Sequence, residues 1–205
     1  MKRIIVKIGS STLTRETNQI SRGKIEDLAR QIVALRDHYQ IIIVSSGAIA
    51  TAKQFIELDG SNAIGVKQAL AAVGQPLLMK IYHEVFADFG LKVAQCLMHY
   101  QDFQIDKSAQ NIANTLNTLV ENGYIPIINE NDTVATDEIL FGDNDKLAAM
   151  TAALINADLL ILASNIDGLY NGDPKDPNAS IISEVDNVDD FAHLVLNTKS
   201  THGTG

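Results

Sequence analysis

A chain of 205 residues with 46% hydrophobic content has the length of one domain or one large bilobal unit with a sizeable core, which sets aside a disordered chain. Lys and Arg total 16 against 25 Asp and Glu, a net charge of −9, so neither nucleic acid nor an anionic membrane is expected as the main partner. Any anionic substrate must therefore meet a local cluster of positive groups.

The basic start Met1-Lys2-Arg3 leads into an apolar stretch that Lys7 interrupts after three residues. No signal peptide or transmembrane span is visible, and a cytoplasmic location is expected. Ile4 to Ile8 reads as the first strand. It runs into Val6-Lys7-Ile8-Gly9-Ser10-Ser11, where glycine lets the backbone approach a phosphate and lysine supplies a point charge. The same residues would also serve in an ordinary strand-terminal turn. Neither G-x-x-x-x-G-K-[ST] nor G-x-G-x-x-G occurs to decide between the two. Ile25, Leu28, Ile32 and Leu35 then recur at helical spacing, with Ser21 placed to cap and Glu26 and Asp27 in the first turn.

The second strand, Ile41 to Ser45, continues as Ser46-Gly47-Ala48-Ile49-Ala50. This small-residue turn either exposes amide donors to a carboxylate or phosphate, or is a tight strand-to-helix connection capped by Ser. A helical region spans about Gly65 to Phe89, with Pro76 able to break or kink it, and the third strand is Lys92 to Met98. Cys96, the single cysteine, lies in that apolar run, cannot close an internal disulfide, and reads as a buried thiol of a reducing compartment. The next helix starts near Ser108, presents Ile112, Leu116, Leu119 and Val120, and stops at Asn122-Gly123.

The fourth strand, Ile125 to Asn129, runs into Glu130-Asn131-Asp132-Thr133. Polar groups directly after an apolar strand suit a ligand site, because open α/β sheets bind ligands at the carboxyl ends of their strands. Thr133 to Phe141 reads as a hairpin or edge excursion. Gly142-Asp143-Asn144-Asp145-Lys146 opens a helix carrying Leu147, Met150, Leu154 and Ile155. Its acids suit a helix N-terminus, and equally a ligand that carries an ammonium group or brings a metal ion. Leu159 to Ala163 is the fifth strand, and Asp173 to Asn178 is a turn-rich loop. Strands alternating with helices indicate an α/β fold with a mostly parallel sheet, and continuous apolar runs suit strands buried on both faces. His38, His83, His99, His193 and His202 show neither nucleophile nor metal spacing and read as structural or surface residues.

Taken in order, these segments resemble the amino acid kinase family. Lys7-Ile8-Gly9-Ser10-Ser11 is similar to its first phosphate-contacting turn and Ser46-Gly47-Ala48-Ile49-Ala50 to its second. Asn129-Glu130-Asn131-Asp132 with Gly142-Asp143-Asn144-Asp145 resembles the glutamate-specific branch, as do Lys67-Gln68 and Ala71-Ala72-Val73-Gly74-Gln75. Acetylglutamate kinase, aspartokinase, carbamate kinase and uridylate kinase share the fold and the first turn but differ at the third and fourth segments.

The resemblance implies a three-layer αβα sandwich over residues 1–205, with an amino-acid-binding lobe to about residue 156 and the start of a nucleotide-binding lobe beyond it. It implies transfer of the γ-phosphoryl group of ATP, with Mg²⁺, to the γ-carboxylate of L-glutamate, the first step of proline biosynthesis. Proline as feedback inhibitor and a homo-oligomer, dimer or tetramer, come with it. Carried over by position, Lys7 contacts the phosphates and the group in flight beside the amides near Gly9. Ser46, Asp132 and Asn144 match glutamate-binding positions with Asp145 close to them, and Asp143 resembles the acid that holds catalytic lysines in place. Ser164-Asn165 falls where the family binds nucleotide, although relatives often carry Thr-Asp there. Thr204 and Gly205 match the opening of a Gly-Thr-Gly-Gly-Met-x-Thr-Lys stretch whose lysine reaches ATP, so the C-terminal part of the nucleotide lobe is expected to be missing from the sequence.

Three readings stay open: a glutamate kinase, a related acyl or nucleoside-monophosphate kinase, and a non-catalytic amino-acid-sensing module on the same fold. Lys7 and Asp143 together speak against the third, since a sensor needs neither.

Overall fold

Why the apolar runs are uninterrupted is clearest in the second strand. In the computed structural model, which describes residues 1–14, 19–58, 63–134, 144–187 and 189, strand β2 (Tyr39–Ser45) turns Ile41 and Ile43 into one core and Ile42 and Val44 into another. Alternate residues of a strand face opposite sides, so a central strand with both faces covered must be apolar throughout. Strand β1 (Lys2–Ile8) pairs parallel to β2 from Lys2 opposite Tyr39 to Ile8 opposite Ser45. With β3 (Lys92–Met98), β4 (Tyr124–Glu130) and β5 (Leu159–Ala163) they form a parallel five-stranded sheet in the order β3-β4-β2-β1-β5.

After β1 comes a single-turn helix, α1 (Ser10–Leu13), and then α2 (Arg22–Leu35). A short α3 (Ala48–Ala52) and the long α4 (Ile64–Asp88) follow β2. α5 (Asp106–Glu121) precedes β4, and α6 (Asn144–Leu154) precedes β5. One face of the sheet carries α2 and α4, where Ile25, Ile32, Leu78, Tyr82 and Phe86 pack on Ile8, Ile43 and Ile127. The other carries α5 and α6, where Leu116, Val120 and Leu147 pack on Ile5, Ile42 and Ile128. The result is the expected three-layer αβα sandwich. Among the described residues no helix is long and apolar enough to cross a membrane.

Several details differ from expectation. The first turn of α2 holds no acid: Ser21 does cap it, accepting from the Lys24 amide at 3.4 Å, but the helix starts at Arg22, which places Glu26 and Asp27 beyond that turn, where they pair with Arg22 and Arg30. Leu35 is exposed and Ala29 takes its place in the core. Pro76 is accommodated inside α4 without ending it. Among the described residues, β5 is not covered on both faces. It lies at the sheet edge with Leu159, Ile161 and Leu162 42 to 49% exposed, and Leu160 packs toward the α6 side. The loop Asp173 to Asn178 is the tip of a hairpin of two short strands, β6 (Leu169–Tyr170) and β7 (Ile181–Ile182). Asp173 and Asp176 accept from backbone amides two residues on, which builds the tip from local turns. Thr133 to Phe141 falls mostly outside the described residues.

Candidate active site

Because all five strands run parallel, their carboxyl ends share one edge of the sheet, and the turns that follow them meet there. The Ser46 amide donates to the Ile8 carbonyl at 3.0 Å and fixes the turn after β2 beside the turn after β1. The Thr12 hydroxyl donates to the Ala163 carbonyl at 3.2 Å and ties α1 to the end of β5.

Lys7, one residue before the end of β1, forms an ion pair with Asp145 at the start of α6; its side chain is 12% exposed and that of Asp145 40%. The ammonium therefore sits at the rim of the site, held by a carboxylate from a different element. Gly9 has an ordinary backbone conformation, with φ of −71°, so its missing side chain matters for space. A methyl there would stand 3.8 Å from Lys7 Nζ and from Ser11 Oγ, and 4.0 Å from Thr12 Oγ1. It would touch a cation and two hydroxyls, groups whose chemistry suits phosphate oxygens.

A chain of buried side chains lies beside it. Asn144 Nδ2 donates to Ser46 Oγ at 2.8 Å and to Asn129 Oδ1 at 2.9 Å. Asn129 Oδ1 also accepts from the Glu130 amide at 3.0 Å, and Asn129 Nδ2 donates to Gln75 Oε1 on α4 at 2.8 Å. Asn144 Oδ1 is buried and has no hydrogen-bond partner among the described residues. Buried amide oxygens are rarely left so, and a ligand N–H donor would satisfy this one.

The same helix α4 shapes the turn below. Tyr82, fully buried, bonds Ser45 Oγ at 2.8 Å while Ser45 Oγ reaches the Ser46 carbonyl at 3.0 Å. Burial pushes the Tyr82 hydroxyl up from 10.0 to about 12, against the opposing pull of the Ser45 hydrogen bond. Gly47 holds φ of +115°, a left-handed conformation that favours glycine. Gly74 lies directly against α3: a Cβ there would stand 1.8 Å from the Ala48 carbonyl oxygen.

Asp132 is half-buried on the turn that continues β4, where the Val134 amide donates to the Asn131 carbonyl at 3.0 Å. Ser164 and Asn165 are exposed past β5, with the Ile166 amide donating to Ser164 Oγ at 3.3 Å. Asp143, Thr204 and Gly205 lie outside the described residues, as do His193 and His202. His99 caps the 3-10 turn Tyr100–Gln104 through Nδ1, and its Nε2 stands 3.7 Å from buried Glu130, while His38 and His83 are exposed. Burial lifts the Cys96 thiol from 9.0 to about 11, in keeping with an inert core residue. No group of three or more His, Cys, Asp or Glu among the described residues could hold a metal ion.

The structure thus joins Lys7 with Asp145, and Ser46 with Asn144. Thr12, Tyr82 and the linking role of Asn129 were not picked out from the sequence, and Gln75 entered only within the segment Ala71 to Gln75 that carries the resemblance, with no role of its own. Gln75 carried a usable signal, since it is a polar residue on the stripe of α4 that also buries Leu78 and Tyr82.

Compared with known proteins, the chain matches the amino acid kinase family over residues 2–205. It is 46% identical over 188 residues to "Glutamate 5-kinase" of Geobacter sp. (strain M21), covering 90% of this chain and 50% of that protein. It is 44% identical over 209 residues to "Glutamate 5-kinase 2" of Bacillus subtilis (strain 168), covering 100% of this chain and 56% of that protein. The chain spans about half the length of these curated relatives. Among solved structures, UMP kinase from Ureaplasma parvum superposes with a TM-score of 0.64 at 19% identity, covering 99% of this chain and 83% of that one, a likeness of fold.

Proposed function

The chain belongs to the amino acid kinase family, and from that premise we propose that it provides the amino-acid lobe and the start of the nucleotide lobe of a glutamate 5-kinase. The reaction is transfer of the γ-phosphoryl group of ATP to the γ-carboxylate of L-glutamate, giving L-glutamyl 5-phosphate, the first step of proline biosynthesis. One juxtaposition supports it above all: the Lys7–Asp145 pair beside Gly9 and the hydroxyls of Ser11 and Thr12, next to the Ser46–Asn144–Asn129 chain at the ends of β2 and β4.

Phosphoryl transfer asks the protein for positioning and charge rather than covalent chemistry. A γ-carboxylate is already ionised at neutral pH and needs no base to act as nucleophile. Lys7, steered by Asp145, places its charge on the oxygens of the migrating group. Asp143 holds the catalytic lysines, and Gly9, Ser164, Asn165, Thr204 and Gly205 line the nucleotide's side. Mg²⁺, when bound with the nucleotide, supplies further charge on the phosphate oxygens. Ser46, Asp132, Asn144 and Asp145 hold glutamate. The buried Asn144 Oδ1 offers an acceptor for its ammonium group, and Ser46 Oγ, which accepts from Asn144, keeps its own proton to donate. The lobes divide near residue 156, the enzyme works in the cytoplasm as a dimer or tetramer, and proline competes in the glutamate pocket.

A coupled ADP assay with MgATP and a panel of glutamate, N-acetylglutamate, aspartate and uridylate tests this reading. Saturable turnover is expected with glutamate. Turnover with uridylate and none with glutamate would reassign the chain to the nucleoside-monophosphate branch.

A further inference from the structure

Each donor and acceptor in the buried amide chain has its direction set by one group that cannot reverse. The Glu130 amide is a backbone donor, so Asn129 must present its oxygen to it. That oxygen then requires Asn144 to offer its nitrogen, which it does, and Asn144 Oδ1 is left facing away from both Asn129 and Ser46. At the other end, Asn129 Nδ2 is a buried donor that must find an acceptor. Gln75 Oε1 supplies it at 2.8 Å from the middle of α4, in a residue 8% exposed.

We propose that Gln75 is a positioning residue for amino-acid recognition: the Glu130 amide sets the polarity of the chain Gln75–Asn129–Asn144–Ser46, and Gln75, by accepting from Asn129 Nδ2, holds Asn129 where its oxygen meets both that amide and Asn144, so that the site shows the substrate one amide oxygen and one hydroxyl proton. It touches no substrate. Remove its oxygen, and Asn129 Nδ2 becomes an orphaned buried donor that is stabilised by shifting toward another partner, at the expense of the bonds its oxygen accepts from the Glu130 amide and Asn144. Displacing Asn129 loosens the bond that Asn144 Nδ2 donates to it, and Asn144 is then no longer held with its oxygen toward the substrate. An acceptor out of place binds the substrate's ammonium less tightly. The inference rests on the reading of the site as a glutamate pocket, and it concerns binding of the amino acid alone.

The test uses the full chain as wild type, Gln75→Met and Gln75→Glu. Met keeps roughly the length and removes the acceptor, while Glu keeps an acceptor oxygen in the same place. With MgATP saturating, Gln75→Met is expected to raise the glutamate KM about tenfold, as for loss of one buried hydrogen-bond partner, with kcat and the ATP KM within about threefold of wild type. Gln75→Glu should recover most of the glutamate KM. In the ligand-free protein, the side-chain amide protons of Asn129 and Asn144, followed by NMR exchange, should be protected in wild type and Gln75→Glu and exposed in Gln75→Met. A wild-type enzyme that responds to glutamate, with a Gln75→Met KM equal to it, overturns the proposal and leaves the kinase reading standing. If both variants instead lose kcat and KM alike with a lowered melting midpoint, Gln75 is a packing residue and the proposal also falls. A wild type that turns over uridylate but not glutamate removes the kinase reading, and this inference with it.

Discussion

Adding one methyl group at Gly74 should loosen the acceptor site without touching any residue in it. The ideal Cβ would lie 1.8 Å from the Ala48 carbonyl oxygen, 2.6 Å from its carbon and 3.0 Å from the Ala52 amide nitrogen. All three are backbone atoms of α3, so no side chain can swing aside. Ordinary contact needs about 1.5 Å more separation, and α3 begins one residue after the Ser46–Gly47 turn. Alanine is the better helix former by about 1 kcal/mol, whereas forced overpacking costs about 1–3 kcal/mol and more when only backbone can yield. The clash wins, with a net loss of roughly 2 kcal/mol, or about 4–8 °C in melting midpoint for a chain of this size. Displacing Ser46 by about an ångström should also raise the glutamate KM by at least tenfold, since misplacement on that scale costs about 10²-fold in extreme cases. Gly65→Ala is the matched control: it adds the same methyl to the same helix, where nothing lies within 4 Å, so stability should hold or rise slightly. Thermal melting and glutamate titrations of both variants decide the matter. A Gly74→Ala protein that melts with Gly65→Ala and keeps the wild-type KM would refute the close-packing argument.

How far the sequence could be read depended on whether a residue's task was local. The β-branched runs and the helical spacing of Ile25 and Ile32 report what the chain does with itself, and their strands and helices stand where expected. Ser21 was legible as a cap for the same reason. Lys7, Ser46 and Asn144 were legible through resemblance and through their place after apolar strands, but their partners were not. Asp145 meets Lys7 across 138 positions, and Asn144 meets Ser46 across 98, so no local pattern could pair them. Gln75 stood in a segment that the resemblance marked, but its contact with Asn129 showed only once α4 was laid against β4. The apolar run of β5 shows what the strand prefers; what covers it is a separate matter, and among the described residues Leu160 joins the core on the α6 side while Leu159, Ile161 and Leu162 stay exposed. Gly74 shows the same limit, since its reason for being glycine belongs to α3.

The site yields further expectations. Lys7→Ala should lower kcat about 10²- to 10³-fold with glutamate KM little changed, as for loss of one transition-state donor; Lys7→Arg should not restore the rate fully, because the guanidinium fork is larger and placed differently from a compact ammonium beside Asp145. Asp132→Ala and Asn144→Ala should mainly raise the glutamate KM, each by about tenfold or more, and a collapse of ATP affinity with KM intact would reverse their assignment. Proline inhibition should weaken as glutamate rises, and flat activity across a proline titration counts against a shared pocket. Alkaline pH should expose the two buried acids of the core. Burial raises the Cys96 thiol to about 11 and the Tyr82 hydroxyl to about 12, so as pH climbs the unfolded chain releases these protons first and is favoured. Their contribution is whole below about pH 9 for Cys96 and about pH 10 for Tyr82, and is lost as pH rises through the folded values. Each should weaken the fold by up to about 2–3 kcal/mol over its window. Tyr82→Phe should melt lower at neutral pH, by the roughly 1 kcal/mol of a lost Ser45 hydrogen bond, yet fall less steeply between about pH 10 and 12. Cys96→Ala should flatten the range from about pH 9 to 11 in the same way. Melting curves for the two variants that run parallel to wild type across both windows would show that neither group stays neutral in the folded core.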